Sequence, residues 1–160
     1  HIPAEAGAHM AQAAVVCLEN QGHDSGVSLQ IEGSFDAAFQ LHWSLGLNEA
    51  MRHYWTDLEV ATEQGAYGLA MILIRALTGY TVVERSRKGT GFDWWLGSDD
   101  NLFQGKARLE VSGLMRGTTK RIQSRIAAKM AQTERSDRLG LPAYIVVVEF
   151  GTPRSKVAKR

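Results

Sequence analysis

Two acidic residues sit where acids are costly to place. Asp93 lies in Gly91-Phe92-Asp93-Trp94-Trp95-Leu96, and Glu110 lies in Ala107-Arg108-Leu109-Glu110-Val111-Ser112-Gly113. Each has large apolar neighbours on both sides, so each is expected in a half-buried strand. A carboxylate buried there is unfavourable unless it is hydrogen-bonded, paired or bound to a cation. Two of them on adjacent strands, facing one way, repel each other. A hard divalent cation with oxygen ligands, Mg²⁺ or Mn²⁺, relieves that repulsion. Glu63 is a third acid that a preceding helix can deliver to the same place.

The elements that must position these residues follow from hydrophobic periodicity. Met10, Ala14, Val15 and Leu18 recur near a 3.6 period and predict a helix over residues 4–20. Val27, Leu29 and Ile31 alternate with polar residues and predict a strand, with 37–44 as its partner. A helical region runs from about 47 to 78 with a break near 55–57. Thr56 and Asp57 are candidate caps for its second part, which carries Glu63 and stops at Gly79. Strands are expected over 80–85, 92–96 and 106–112, with turns at 86–91 and 97–101. Thr118 or Thr119 is expected to cap a helix running to about 133. The Tyr-Ile-Val-Val-Val run within 143–150 reads as a strand buried on both faces. From Thr56 onward the order is helix, three strands, helix, strand, which implies an α/β domain with a mixed sheet flanked by helices.

A helix with Glu, a hairpin with Asp and a strand with Glu-x-x resembles the PD-(D/E)XK, or restriction endonuclease-like, nuclease superfamily over roughly residues 56–150. The resemblance implies a Mg²⁺-dependent (or Mn²⁺-dependent) endonuclease acting on nucleic acid, DNA in preference. It implies that Asp93 and Glu110 hold the metal, that the carbonyl of Val111 assists and that Glu63 supports the metal or its water. Dimers and roles in antiviral defence or genome maintenance go with the family. The sequence departs from the family pattern at Ser112, where a lysine is usual. That lysine helps orient water and stabilise charge developing on phosphorus. By strand alternation Arg108 and Lys106 share the face of Glu110, at about 7 and 13 Å along the strand. Arg125 and Lys129, on the following helix, are further candidates to supply the cation. The alternative is an inactive nuclease-like subunit that binds nucleic acid or partner proteins in a larger complex.

Charge is divided unevenly. Residues 116–160 hold 11 Lys+Arg and 3 Asp+Glu, a balance of +8, against a net charge of +1 for the whole chain. The rest therefore balances at −7, which reads either as an acidic cation-binding body with a basic, phosphate-binding third or as a solvated helix face plus a basic tail. Lys120, Arg121, Arg125 and Lys129 flank an apolar stripe of Ile122, Ile126 and Met130 on one helix. Arg87 and Lys88 sit on the polar turn beside Asp93. These six are the candidate nucleic-acid contacts.

Other chemistries are excluded or reduced to bland readings. Cys17 is the only cysteine, so neither an intrachain disulfide nor a Cys-based zinc site can form, and a core thiol in a reducing, cytoplasmic setting fits. The five histidines show no zinc-ligand spacing. Gly89-Thr90-Gly91 is followed by no Gly-Lys-Ser/Thr and reads as a hairpin turn. No Gly-x-Ser-x-Gly elbow is present. No apolar run is long enough for a membrane span, and the first residues lack the basic region of a secretory signal. The expected organisation is an N-terminal helix and β-hairpin extension packed on the core (1–50), a nuclease-like core (51–153) and a mobile basic tail (154–160).

Overall fold

The fold is described from a computed structural model, over residues 2–99 and 104–160. The end of the expected 97–101 turn and His1 lie outside the described residues. Twelve elements follow in the order α1 (Ala4–Asn20), β1 (Val27–Gly33), β2 (Ala37–Leu41), α2 (Glu49–Tyr54), α3 (Leu58–Thr78), β3 (Thr81–Arg85), β4 (Trp94–Gly97), β5 (Ala107–Leu114), α4 (Thr119–Thr133), a 3-10 turn (Glu134–Leu139), β6 (Ala143–Glu149) and β7 (Arg154–Lys159). The expected caps are in place. Asp57 accepts from Glu59 N and Val60 N at the start of α3, Thr118 accepts from Arg121 N at the start of α4, and Gly79 closes α3 in the left-handed conformation.

All seven strands form one mixed sheet in the order β2-β1-β7-β6-β5-β4-β3. The pairs β1–β7 and β5–β6 are parallel and the others antiparallel. Helices cover both faces. Tyr144, Val146, Val148 and Phe150 of the β6 segment pack with α1 and α3, while Ala143, Ile145 and Val147 pack with Ile122 and Ile126 of α4. The Tyr-Ile-Val-Val-Val run is thus buried on both sides, as its continuous hydrophobicity required.

Two expectations change. The segment 154–160 is not a mobile tail. Arg154–Lys159 form β7, an interior strand between β1 and β6. Ser155 and Val157 alternate inward with relative exposures of 1% and 0%, while Arg154 and Lys156 point to the other face. The basic residues disguised a period-2 pattern, because long charged side chains can lie along a sheet with their heads in water. In addition, residues 1–50 are built into the core and do not merely pack against it. β1 and β2 extend the same sheet through β7, and Met10, Cys17, Leu18, Leu29 and Ile31 share one hydrophobic cluster with α3.

Two glycines permit the close approaches that set the site. A Cβ at Gly65 would lie 2.9 Å from the backbone of Ala14, so α1 and α3 can cross in contact. A Cβ at Gly113 would lie 2.5 Å from the carbonyl oxygen of Thr62. The end of β5 therefore meets α3 one residue before Glu63.

Candidate active site

Asp93 immediately precedes β4, and the β4–β5 register, with Trp94 opposite Leu109, places it beside Glu110. The Asp93 N–H donates to the carbonyl of Leu109 at 2.9 Å, and its Oδ2 accepts from the Val111 N–H at 2.9 Å. Glu110 is 1% exposed. Its Oε1 accepts from Lys129 Nζ at 2.5 Å and from Gln132 Nε2 at 2.9 Å, both on α4. Its Oε2 is buried and meets no N–H donor; the Asp93 carboxyl lies within hydrogen-bonding reach of Glu110, so a proton on the pair can be shared between them. From the other face, Tyr67 of α3 places its hydroxyl 3.0 Å from Glu63 Oε1 and 3.4 Å from Asp93 Oδ1. One phenol has one proton to give, and the shorter distance favours Glu63. Trp94 packs edge-on to the Tyr67 ring, and the Arg85 guanidinium lies 5.2 Å from the Trp94 ring centroid and 6.0 Å from that of Tyr67.

These groups line one cleft of about 750 Å³. Glu59 and Glu63 stand on its α3 wall, Asp93, Glu110, Val111 and Ser112 on its floor, and Arg116, Arg121, Arg125, Lys129 and Gln132 on its opposite side. The cleft thus faces an acidic wall with a basic one.

Burial governs the proton affinities. Loss of water pushes the Glu110 carboxyl up to about 7, with Lys129 opposing and the neighbouring Asp93 charge adding to the rise. Burial also raises Asp93, against the Val111 amide, the Lys129 charge and the Tyr67 hydroxyl, which all favour its ionised form. Tyr67 is raised by burial first and then by the charges of Asp93 and Glu63, so it stays a neutral donor. Without a cation, this carboxyl pair favours retaining a proton on Glu110.

The expected site residues fall into two groups. Glu63, Asp93, Glu110, Val111 and Ser112 come to the cleft, joined by Arg121, Arg125 and Lys129. The Val111 contact with Asp93 is through its amide. Among the described residues, no group of three or more His, Cys, Asp or Glu side chains is arranged to hold a metal ion. The three carboxylates share the cleft without closing on one point, because Tyr67 stands between Glu63 and Asp93 and Lys129 occupies one oxygen of Glu110. Lys106 and Arg108 do not supply the missing cation. Lys106 donates to Ser98 Oγ at 2.7 Å. Arg108, 2% exposed, donates to the carbonyls of Thr133 and Leu141 and to Ser136 Oγ, so it ties β5 to the turn after α4. Alternation correctly put Arg108 on the face of Glu110, but its length carries it away along that face. Lys120, Arg87 and Lys88 are exposed outside the cleft lining.

Cleft residues outside the sequence expectations include Glu59, one turn before Glu63, and Tyr67, Gln132 and Arg116. Tyr67 is one turn from Glu63, and Gln132 lies three residues after Lys129; both are ordinary helix-face neighbours whose signal was present in the spacing. Arg116 precedes α4 and had no such signal. Elsewhere, Cys17 is the inert core thiol expected: it is buried, and burial pushes it up to about 12. No helix among the described residues is long and apolar enough to cross a membrane. Compared with known proteins, the chain matches no family model, no curated protein and no solved structure.

Proposed function

We propose that this protein is a metal-dependent nuclease of restriction endonuclease-like fold that hydrolyses phosphodiester bonds in DNA, acting in a reducing, cytoplasmic setting. The observation that carries the reading is the Asp93–Glu110 pair: Glu110 is a buried carboxylate in mid-strand, with one oxygen held by Lys129 and Gln132 and the other without an N–H donor beside the Asp93 carboxyl, so the pair must share a proton or bind a cation. Two buried carboxylates side by side are costly unless a proton, a water or a cation lies between them.

The donor set fits a hard cation, being entirely oxygen. Asp93 and Glu110 would hold Mg²⁺ or Mn²⁺, with the Val111 carbonyl as a third ligand and Glu63 supporting a bound water. When bound, such an ion polarises a phosphate and lowers the pKa of coordinated water. The chain's own groups do the remaining work. The Val111 amide fixes one oxygen of Asp93. Tyr67 holds Glu63 beside Asp93. Lys129 brings from α4 the positive charge that Ser112 does not carry, 2.5 Å from Glu110. A cation next to the metal-binding carboxylate is placed to stabilise negative charge developing on phosphorus. Ser112, on the cleft floor, offers a hydroxyl to the same phosphate.

The test is incubation with plasmid, linear duplex and single-stranded DNA in Mn²⁺, with Glu110→Ala alongside. Cleavage by the parent and not by the variant is the expected result. Equal traces from both, together with a Mn²⁺-dependent rise in melting temperature that Asp93→Asn abolishes, would instead assign the chain as a binding subunit with an intact cation site.

A further inference from the structure

We infer that the cleft takes one nucleic-acid strand, laid along α4, with three or four consecutive phosphates on Arg125, Arg121 and Arg116 to one side of the carboxylates. The inference rests on the nuclease reading for the identity of the ligand, but it is drawn from the cations of α4 and the Glu59 and Glu63 wall, not from the Asp93–Glu110 pair.

Arg121, Arg125 and Lys129 are spaced i, i+4, i+8, so all three rise along one face of α4 and all three line the cleft. They span about 12 Å of helix axis, in steps of about 6 Å. That step is of the order of the distance between neighbouring phosphates of one strand. Lys129 is committed to Glu110, Arg121 reaches the Arg116 carbonyl at 3.4 Å, and Arg116 hydrogen-bonds Gln21. Arg125 differs: it is half-buried in the cleft wall and has no hydrogen-bond or ion-pair partner among the described residues. A partly desolvated guanidinium without a counter-charge is poised for an anion, and its fork matches phosphate geometry.

The path continues. Arg116 and Arg121 also line a second cavity of about 510 Å³ at the start of α4, between Gly117, Thr118, Gly151 and Thr152. The row of cations therefore leads out of the carboxylate site into a further opening. The facing α3 wall carries Glu59 and Glu63. A second phosphate backbone placed across the cleft would lie against those carboxylates, which is why the arrangement suits a single strand and disfavours a duplex seated in the groove.

Binding of fluorescein-labelled oligothymidylates to the full chain in EDTA, where hydrolysis is blocked, tests this. Affinity should rise with length to about four nucleotides and then level, and an eight-nucleotide single strand should bind at least about tenfold tighter than a duplex of that length. In a salt titration, Arg121→Gln and Arg125→Gln should each flatten the slope of log K against log salt by about 0.7, the value for one lost single-strand phosphate contact. Arg138→Gln, outside the cleft, should leave the slope unchanged. Tighter binding of the duplex, or equal slopes for all three variants and the parent, overturns the inference. The two readings fail separately. Binding as described without Mn²⁺-dependent cleavage leaves the strand path and removes the nuclease; cleavage with unaltered slopes does the reverse.

Discussion

Two glutamates of neighbouring strands are buried to almost the same degree and are treated in opposite ways. Glu149, at the end of β6, is 2% exposed, and Glu110, in β5, is 1% exposed. Glu149 is saturated. Its Oε1 accepts from the amides of Gly117 and Gly151, and its Oε2 accepts from the Thr152 amide and hydroxyl and from Arg154 Nε. It thereby pins the entrance of α4 and the β6–β7 turn. Glu110 has two donors, both on Oε1, and its Oε2 has no N–H donor, only the neighbouring Asp93 carboxyl with which a proton can be shared. The two carboxylates match in burial and differ in the completeness of their donor sets.

Several substitutions break or sharpen that contrast. Glu110→Ala should reduce Mn²⁺-dependent cleavage by at least about 10³-fold, or about 4 kcal/mol of transition-state stabilisation, with a folded circular dichroism spectrum retained. Glu149→Ala should do its damage to stability, by roughly 3 kcal/mol in denaturant titration, because it leaves buried amides and Arg154 without their acceptor. If Glu149→Ala proved as stable as the parent while Glu110→Ala unfolded, the assignment of the two roles would be reversed. Lys129→Met should lower the cleavage rate by about 10²-fold with a smaller effect on DNA affinity, which separates charge stabilisation from binding.

The proton affinities give a subtler test. Glu110 in the folded chain is raised to about 7 from an ordinary value near 4.5. A raised carboxyl holds its proton in the folded state after the unfolded chain has lost it. Its contribution to stability is therefore complete below about pH 4.5 and is lost as pH rises through 7. In EDTA the melting temperature should fall across that window, and Glu110→Gln should flatten the fall. Mn²⁺, which competes with the proton, should raise the melting temperature more at pH 8 than at pH 5.5. The smallest effect is expected from Tyr67→Phe. It removes one hydrogen bond that positions Glu63 and should cost less than about tenfold in rate, with rescue of the deficit at higher Mn²⁺.

Much of this architecture was legible in the chain. The caps Asp57 and Thr118, the stop at Gly79 and the strand at 143–149 were marked by local chemistry that needs no partner to act. Asp93 and Glu110 were marked because an acid between large apolar residues has few harmless explanations. What failed involved long basic side chains. Arg108 was placed on the correct face, but a strand pattern does not say how far a long side chain travels along that face. Arg154–Lys159 looked like tail because its basic side chains outweighed Ser155 and Val157 in composition, although only the latter decide burial.

The sequence by itself determined the element types and the residues able to do chemistry, because both depend on periodicities and neighbours within a few positions. The tertiary structure alone decided which cation serves Glu110 and which glutamate is satisfied. Lys129 reaches Glu110 only because β5, α4 and β6 form a parallel crossover that folds the helix back over its own strand. Glu149 meets its donors only because β7 turns back beside β6. Those are contacts between residues distant in the chain, and pairing energies of that kind leave no local trace.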